Sequence, residues 1–217
     1  MGSITRSFAN NITTSGVLLP ASLNNNSISN VTSYNAAIAT GSMVLISSQT
    51  ASNSASISFT TGIDSTYKEY QFWFIDIHPR TDGVEFQFNM STDSGSNYNV
   101  TKTTTYFQAV HNEADNDTAL AYNTSYDLAQ STGYQFLTTD NSSDADHACQ
   151  GSLSLYNPAS TTYVKHFISN FNETNVSDYN KNVYVAGYGN TTSAINAVRF
   201  QMSSGNFDGT IALFGVV

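Results

Sequence analysis

From about Met43 onward the chain alternates apolar and polar residues with a period of two. Successive side chains on a strand point to opposite faces, so this pattern predicts half-buried β-strands. Met43–Ser47 reads as a first short strand and Ala55–Thr60 as a second. Tyr67–His78 reads as a long one, with Tyr70, Phe72 and Phe74 on one side and Trp73, Ile75 and Ile77 on the other. Apolar residues on both sides predict a strand covered on both faces. After the turn residues His78–Gly83, Val84–Ser91 places Phe86, Phe88 and Met90 inside and Glu85, Gln87 and Asn89 outside. These two strands with their loop predict a hairpin or near-neighbour pair.

Further strands are predicted over Thr103–His111, Tyr134–Leu137, Ala148–Tyr156, Thr162–Ser169, Asn182–Gly187, Ala194–Met202 and Gly209–Gly215. Asp93–Asn97, Asn157–Ser160 and Gly205 mark turns, and the irregular stretch 112–132 reads as a short helix or a long loop. Many short strands with almost no helix predict an all-β fold: an antiparallel β-sandwich, with jelly-roll topology expected. Residues 1–45 break the pattern. They are rich in Ser, Thr and Asn, and no period of 2 or 3.6 runs through their sparse apolar residues. Such a segment buries too little surface to fold alone. A floppy tail and an arm that orders against a partner both fit; the scattered large apolar residues favour an extended N-terminal arm, with residues 46–217 as the sandwich domain.

Composition sharpens this picture. Only 11% of the 217 residues are charged, while 13 Phe and 13 Tyr supply a large aromatic core. The surface is therefore hydroxyl and amide, suited to wet contacts with proteins or sugars. A net charge of −9 with seven basic residues argues against nucleic-acid binding, which needs clustered Lys and Arg. No apolar run approaches the ~18 residues of a membrane span, so no membrane insertion is expected. Met1–Arg6 has no apolar core of a secretory leader, so none is expected.

Candidate chemistry is sparse. The single Cys149 precludes an internal disulfide. It shares a strand face with His147 at i,i+2, but no thiol-enzyme motif surrounds the pair, and a core role is expected. Neither a nucleophile elbow nor a phosphate loop occurs. His78, His111, His147 and His166 lie far apart, without zinc-site spacing. Two acidic clusters, Glu113/Asp115/Asp117 and Asp140/Asp144/Asp146, fall in predicted loops. Alternating carboxylates can bind Ca²⁺, making Asp115/Asp117 and Asp144/Asp146 candidate calcium ligands, but neither cluster has the Gly and closing Glu of an EF-hand. Solvated loop acids are the main expectation, with no cofactor and no enzymatic activity. Among tyrosines that can offer a sugar platform (Tyr122, Tyr126, Tyr134, Tyr179, Tyr184, Tyr188), Tyr122 and Tyr126 are the candidate ligand surface.

Several phrases in order carry a resemblance. Met1–Gly16, Ser58–Tyr67, His78-Pro79, Tyr106–Asp115, Tyr156–His166 and Thr192–Asn196 resemble segments of virion structural proteins, tail-fibre-like modules among them, of marine tailed bacteriophages. The resemblance implies a non-enzymatic virion part, assembled in the host cytoplasm: a tail-fibre or spike subunit, or a decoration of head or neck. It implies docking to other virion proteins through the arm, with Ile4, Phe8, Ile12, Leu18 and Leu19 as contacts. It also implies a homo-oligomer, expected to be a trimer, with a host glycan as a further candidate partner. A free carbohydrate-binding β-sandwich module is the alternative.

Overall fold

A computed structural model of the protein describes residues 42–217. The arm contacts expected at Ile4, Phe8, Ile12, Leu18 and Leu19 lie outside the described residues. Twelve strands are present among the described residues: β1 (Met43–Ser54), β2 (Ile57–Phe59), β3 (Glu69–Pro79), β4 (Phe86–Ser91), β5 (Lys102–Asn112), β6 (Thr118–Tyr122), β7 (Gln135–Phe136), β8 (Cys149–Tyr156), β9 (Lys165–Thr174), β10 (Tyr179–Gly189), β11 (Ala197–Met202) and β12 (Phe207–Val216). They form an eight-stranded sheet, β1-β12-β3-β8-β9-β10-β5-β6, and a four-stranded sheet, β2-β11-β4-β7. Every ladder is antiparallel. β1 opens at Met43, where the first short strand was expected, and so takes in the last three residues of the 1–45 segment.

Jelly-roll topology follows from which strands pair. Leaving aside β5, β6, β9 and β10, the remaining eight pair first with last: β1 with β12, β2 with β11, β3 with β8 and β4 with β7. Rolling that long double ribbon then brings β12 beside β3 and β11 beside β4. Two hairpins are inserted into this scheme, β5–β6 before β7 and β9–β10 after β8. They pair with each other and with β8, and so widen one sheet from four strands to eight.

The two sheets meet on phenylalanine. The Phe200 ring, fully buried on β11, lies 5.1 Å from Phe72 and 4.9 Å from Phe74 of the facing sheet. It also sits 6.3 Å from Phe59 and 6.2 Å from Phe88 of its own sheet. Phe88 in turn meets Phe167 at 4.9 Å, which extends the core under β9.

Several local expectations are corrected. β3 and β4 are not a hairpin, because they lie in different sheets. Nor is β3 covered on both faces: Trp73 and Ile75 are exposed, while Ile77 is buried. A bulge at Asp76, whose φ is +51°, inserts one residue and returns Ile77 to the core side. On β4, Gln87 and Asn89 are buried although their alternation predicted solvent. Loops cover that face, and the Asn89 Nδ2 donates to the carbonyls of Tyr98 and Thr132 at 2.7 and 3.0 Å. The stretch 112–132 holds no helix; it contains β6, hairpinned onto β5. Gly205 does make the turn between β11 and β12, at φ +72°.

Phe200→Ala removes the ring that both sheets share. It should lower unfolding free energy by about 3–5 kcal/mol in a urea titration. A loss below about 1 kcal/mol would show that the two sheets do not depend on it.

Candidate functional site

The large sheet carries an inverted pattern around its inserted hairpins. β5, β8, β9 and β10 contain four charged residues, Lys102, Lys165, Glu173 and Lys181, and all four are buried. Their outward positions hold no Lys, Arg, Asp or Glu. Alternation places Lys102 and Lys165 opposite Gly189 at one end and pairs Lys181 with Glu173 at the other. Burying an unpaired charge is expensive, so each must be coordinated. The Lys102 Nζ donates to Asn89 Oδ1 at 2.6 Å and to the Val100 carbonyl at 2.9 Å. Lys165 donates to the carbonyls of Tyr163 and Thr191. Burial still pulls the Lys102 ammonium down to about 7.

Glu173 accepts the Thr139 N–H on both carboxylate oxygens, at 3.2 and 3.0 Å. Lys181 Nζ lies 3.8 Å from Glu173 and 3.2 Å from Asp140. Burial outweighs these partners and pushes the Glu173 carboxyl up to about 8.

The outward side of the same sheet is apolar and amide. Leu45, Trp73, Ile75, Phe107, Leu120, Tyr122, Ile168 and Tyr184 are all exposed on it. Single exposed apolar residues are ordinary, but a contiguous set marks a contact surface. One row in register runs Trp73, Ser152, Asn170, Tyr184, Phe107, Tyr122 across six strands. Trp73 packs on Phe214 at 5.1 Å, and Phe107 stacks on Tyr184 at 5.0 Å and 8°. Between these ring pairs, Asn170 Nδ2 donates to Asn182 Oδ1 at 2.8 Å and Asn172 Nδ2 to Asn180 Oδ1 at 2.6 Å. Trp73 Nε1 donates to Gln71 Oε1 at 2.9 Å. These amide and indole donors are thus already paired within the face.

One end of the face holds a shallow depression of about 490 Å³, with Thr105, Ile168 and Ala186 in one row and Thr103, His166 and Tyr188 in the next. Ala186 is the small floor residue between Tyr184 and Tyr188 on β10. The Tyr156 and Tyr188 hydroxyls and the His166 imidazole have no hydrogen-bond partner among the described residues.

The structure separates the two tyrosines expected to share a ligand surface. Tyr122 lies outward on β6, its hydroxyl donating to Asp127 at 2.5 Å. Tyr126 is half-buried against Tyr106 and Phe136 in the core. Trp73 and Ile75, read as covered, stand on the surface, because an apolar residue outward on a strand reads as one facing a second layer. Cys149 is buried, and burial pushes its thiol well up. His147 precedes β8, and its carbonyl meets His78 Nδ1 at 2.7 Å. The candidate calcium ligands diverge: Asp115 faces His111 at 3.1 Å, and Asp117 accepts from the Tyr179 hydroxyl at 2.7 Å. Asp144 lies 4.0 Å from His147. Among the described residues no three His, Cys, Asp or Glu side chains are grouped to hold a metal ion. Comparison of the chain with known family models, with curated proteins and with solved structures finds no match.

The Glu173 shift has a pH consequence. Its folded value lies above the ordinary 4.5, so the folded state holds the proton more tightly. The stability this contributes is full below about pH 4.5 and is lost as pH rises through about 8. Stability should therefore fall more between pH 5 and 9 in the natural chain than in Glu173→Gln, read by urea titration at each pH. Parallel profiles would mean that Glu173 is ionised throughout.

Proposed function

We propose that the chain is a non-enzymatic structural protein of a phage virion, a tail-fibre or spike subunit or a decoration of head or neck. Residues 1–45 attach it to other virion proteins, and the sandwich acts as a homo-oligomer that can contact the host surface. A jelly roll hosts many functions, so fold alone does not carry this reading. The observation that carries it is the outward face of the eight-stranded sheet. That face combines aromatic rings with internally paired amides, while every charged side chain of its four inserted and neighbouring strands is turned inward. Depletion of charge with enrichment of aromatics characterises the core of protein contacts. The sequence resemblance to marine phage virion proteins points the same way.

A carbohydrate-binding module is the second reading, favoured by the depression around Ala186. Its unpaired tyrosine hydroxyls and imidazole suit a neutral sugar that stacks on rings and hydrogen-bonds at its edge. Glycan-array binding abolished by Tyr156→Ala and by Tyr188→Ala is the result that reading requires.

Deletion of residues 1–41 keeps all of β1. The truncated protein should stay folded by circular dichroism yet be missing from particles assembled in its presence. Full incorporation of the truncated chain would remove the docking role from the arm.

A further inference from the structure

We infer that the outward face of the eight-stranded sheet pairs with the same face of a second copy of this chain, about a two-fold axis running along the strands between β8 and β9. This rests on the reading of the sandwich as a homo-oligomer and replaces the expected trimer with an isologous pair.

The face is laid out symmetrically about that axis. Trp73 and Phe214 lie on β3 and β12, one and two strands beyond β8. Tyr184 and Phe107 lie on β10 and β5, one and two strands beyond β9. Trp73 and Tyr184 occupy the same row, with Ser152 and Asn170 between them. A two-fold axis along the strands exchanges left for right at constant height. It therefore sets Trp73 of one copy on Tyr184 of the other, twice, with the serine and asparagine positions meeting at the centre; Phe107 then faces Ala212, and Phe214 lies one outward position further along β12. A self-complementary patch is what an isologous contact needs.

Charge favours a second copy as the occupant. Each chain carries −9, so contacts through its acidic loops are repulsive. The outward positions of β5, β8, β9 and β10 carry no charge; towards the ends of β3 and β12, Glu69 opens its strand, Asp76 sits at the bulge beyond Ile75, and Asp208 is paired with Arg80. Desolvation is also modest at the centre, because Asn170, Asn172 and Trp73 already spend their donors within the face. A glycan or a charged partner would leave that self-paired centre unused.

Size sets the strength. Six strands from β12 to β5 span about 24 Å, and with about 20 Å along the strands they give roughly 500 Å² in projection per copy. That is at the small end for specific contacts, so a dissociation constant in roughly the micromolar range is expected.

Sedimentation of the full chain across a concentration series tests this. The mass should rise from the 23.5 kDa chain to twice that value. Trp73→Lys and Tyr184→Glu should each weaken association at least about 30-fold while leaving the melting curve unchanged. Mixing those two variants should restore pairing, since the axis sets position 73 of one copy against position 184 of the other. Ile168→Glu, close to the axis, should weaken pairing without rescue by either. A monomer at all concentrations, a trimer, a dimer indifferent to these changes, or a mixture that stays monomeric would each overturn the proposal. So would a monomer that binds neutral oligosaccharides and loses them with Trp73→Lys. Incorporation of the natural chain into particles reads the virion role separately: normal incorporation by a chain that stays monomeric in sedimentation sinks only the pairing.

Discussion

Three strands of this protein, β5, β9 and β10, hide their charges on the inner side of a sheet whose outer side shows rings, and the functional account depends on that inversion. Solvation favours the opposite arrangement: charged groups lose several kcal/mol of hydration on burial, and large apolar groups gain by it. The chain meets the cost on the inner side with specific partners, Asn89 and carbonyls for the lysines, and Thr139 and Lys181 for Glu173. Nothing among the described residues covers the outer side, where Trp73, Phe107, Ile168 and Tyr184 remain in water. A surface held in that state by one chain is most simply understood as half of a contact.

The fold explains why the face is so wide. An eight-strand jelly roll would give two four-stranded sheets packed on the Phe200 cluster. The β5–β6 and β9–β10 hairpins extend only one of them. Their inner sides are sealed by the segment that carries Tyr126, Gln135 and Thr139, through contacts such as Tyr106 on Tyr126 and Thr104 on Gln135. Widening one sheet alone leaves an outer surface with no layer of its own to cover it.

Much of this was legible in the sequence, and the exceptions have physical causes. Period-two runs such as Val84–Ser91 and the turn at Gly205 located the strands and the fold class. Alternation says which residues share a face, but not what lies against that face. Gln87 and Asn89 therefore read as solvent-facing although loops bury them, and Trp73 and Ile75 read as covered although they are bare. The bulge at Asp76 reversed the parity of Ile77, because one inserted residue flips every side chain that follows. At the candidate site, Tyr184 and Tyr188 were legible as polar-tipped aromatics, while Tyr156 and His166 joined them only through register between distant strands.

Trp73 is the sole tryptophan of the chain and stands on the outward face. Its fluorescence therefore reports directly on whether that face is covered. Acrylamide quenching of the full chain, followed from nanomolar to high micromolar protein, should weaken as concentration rises, with a blue shift of the emission. Equal quenching across the whole range, with unshifted emission, would contradict the claim that this face is a contact surface between copies.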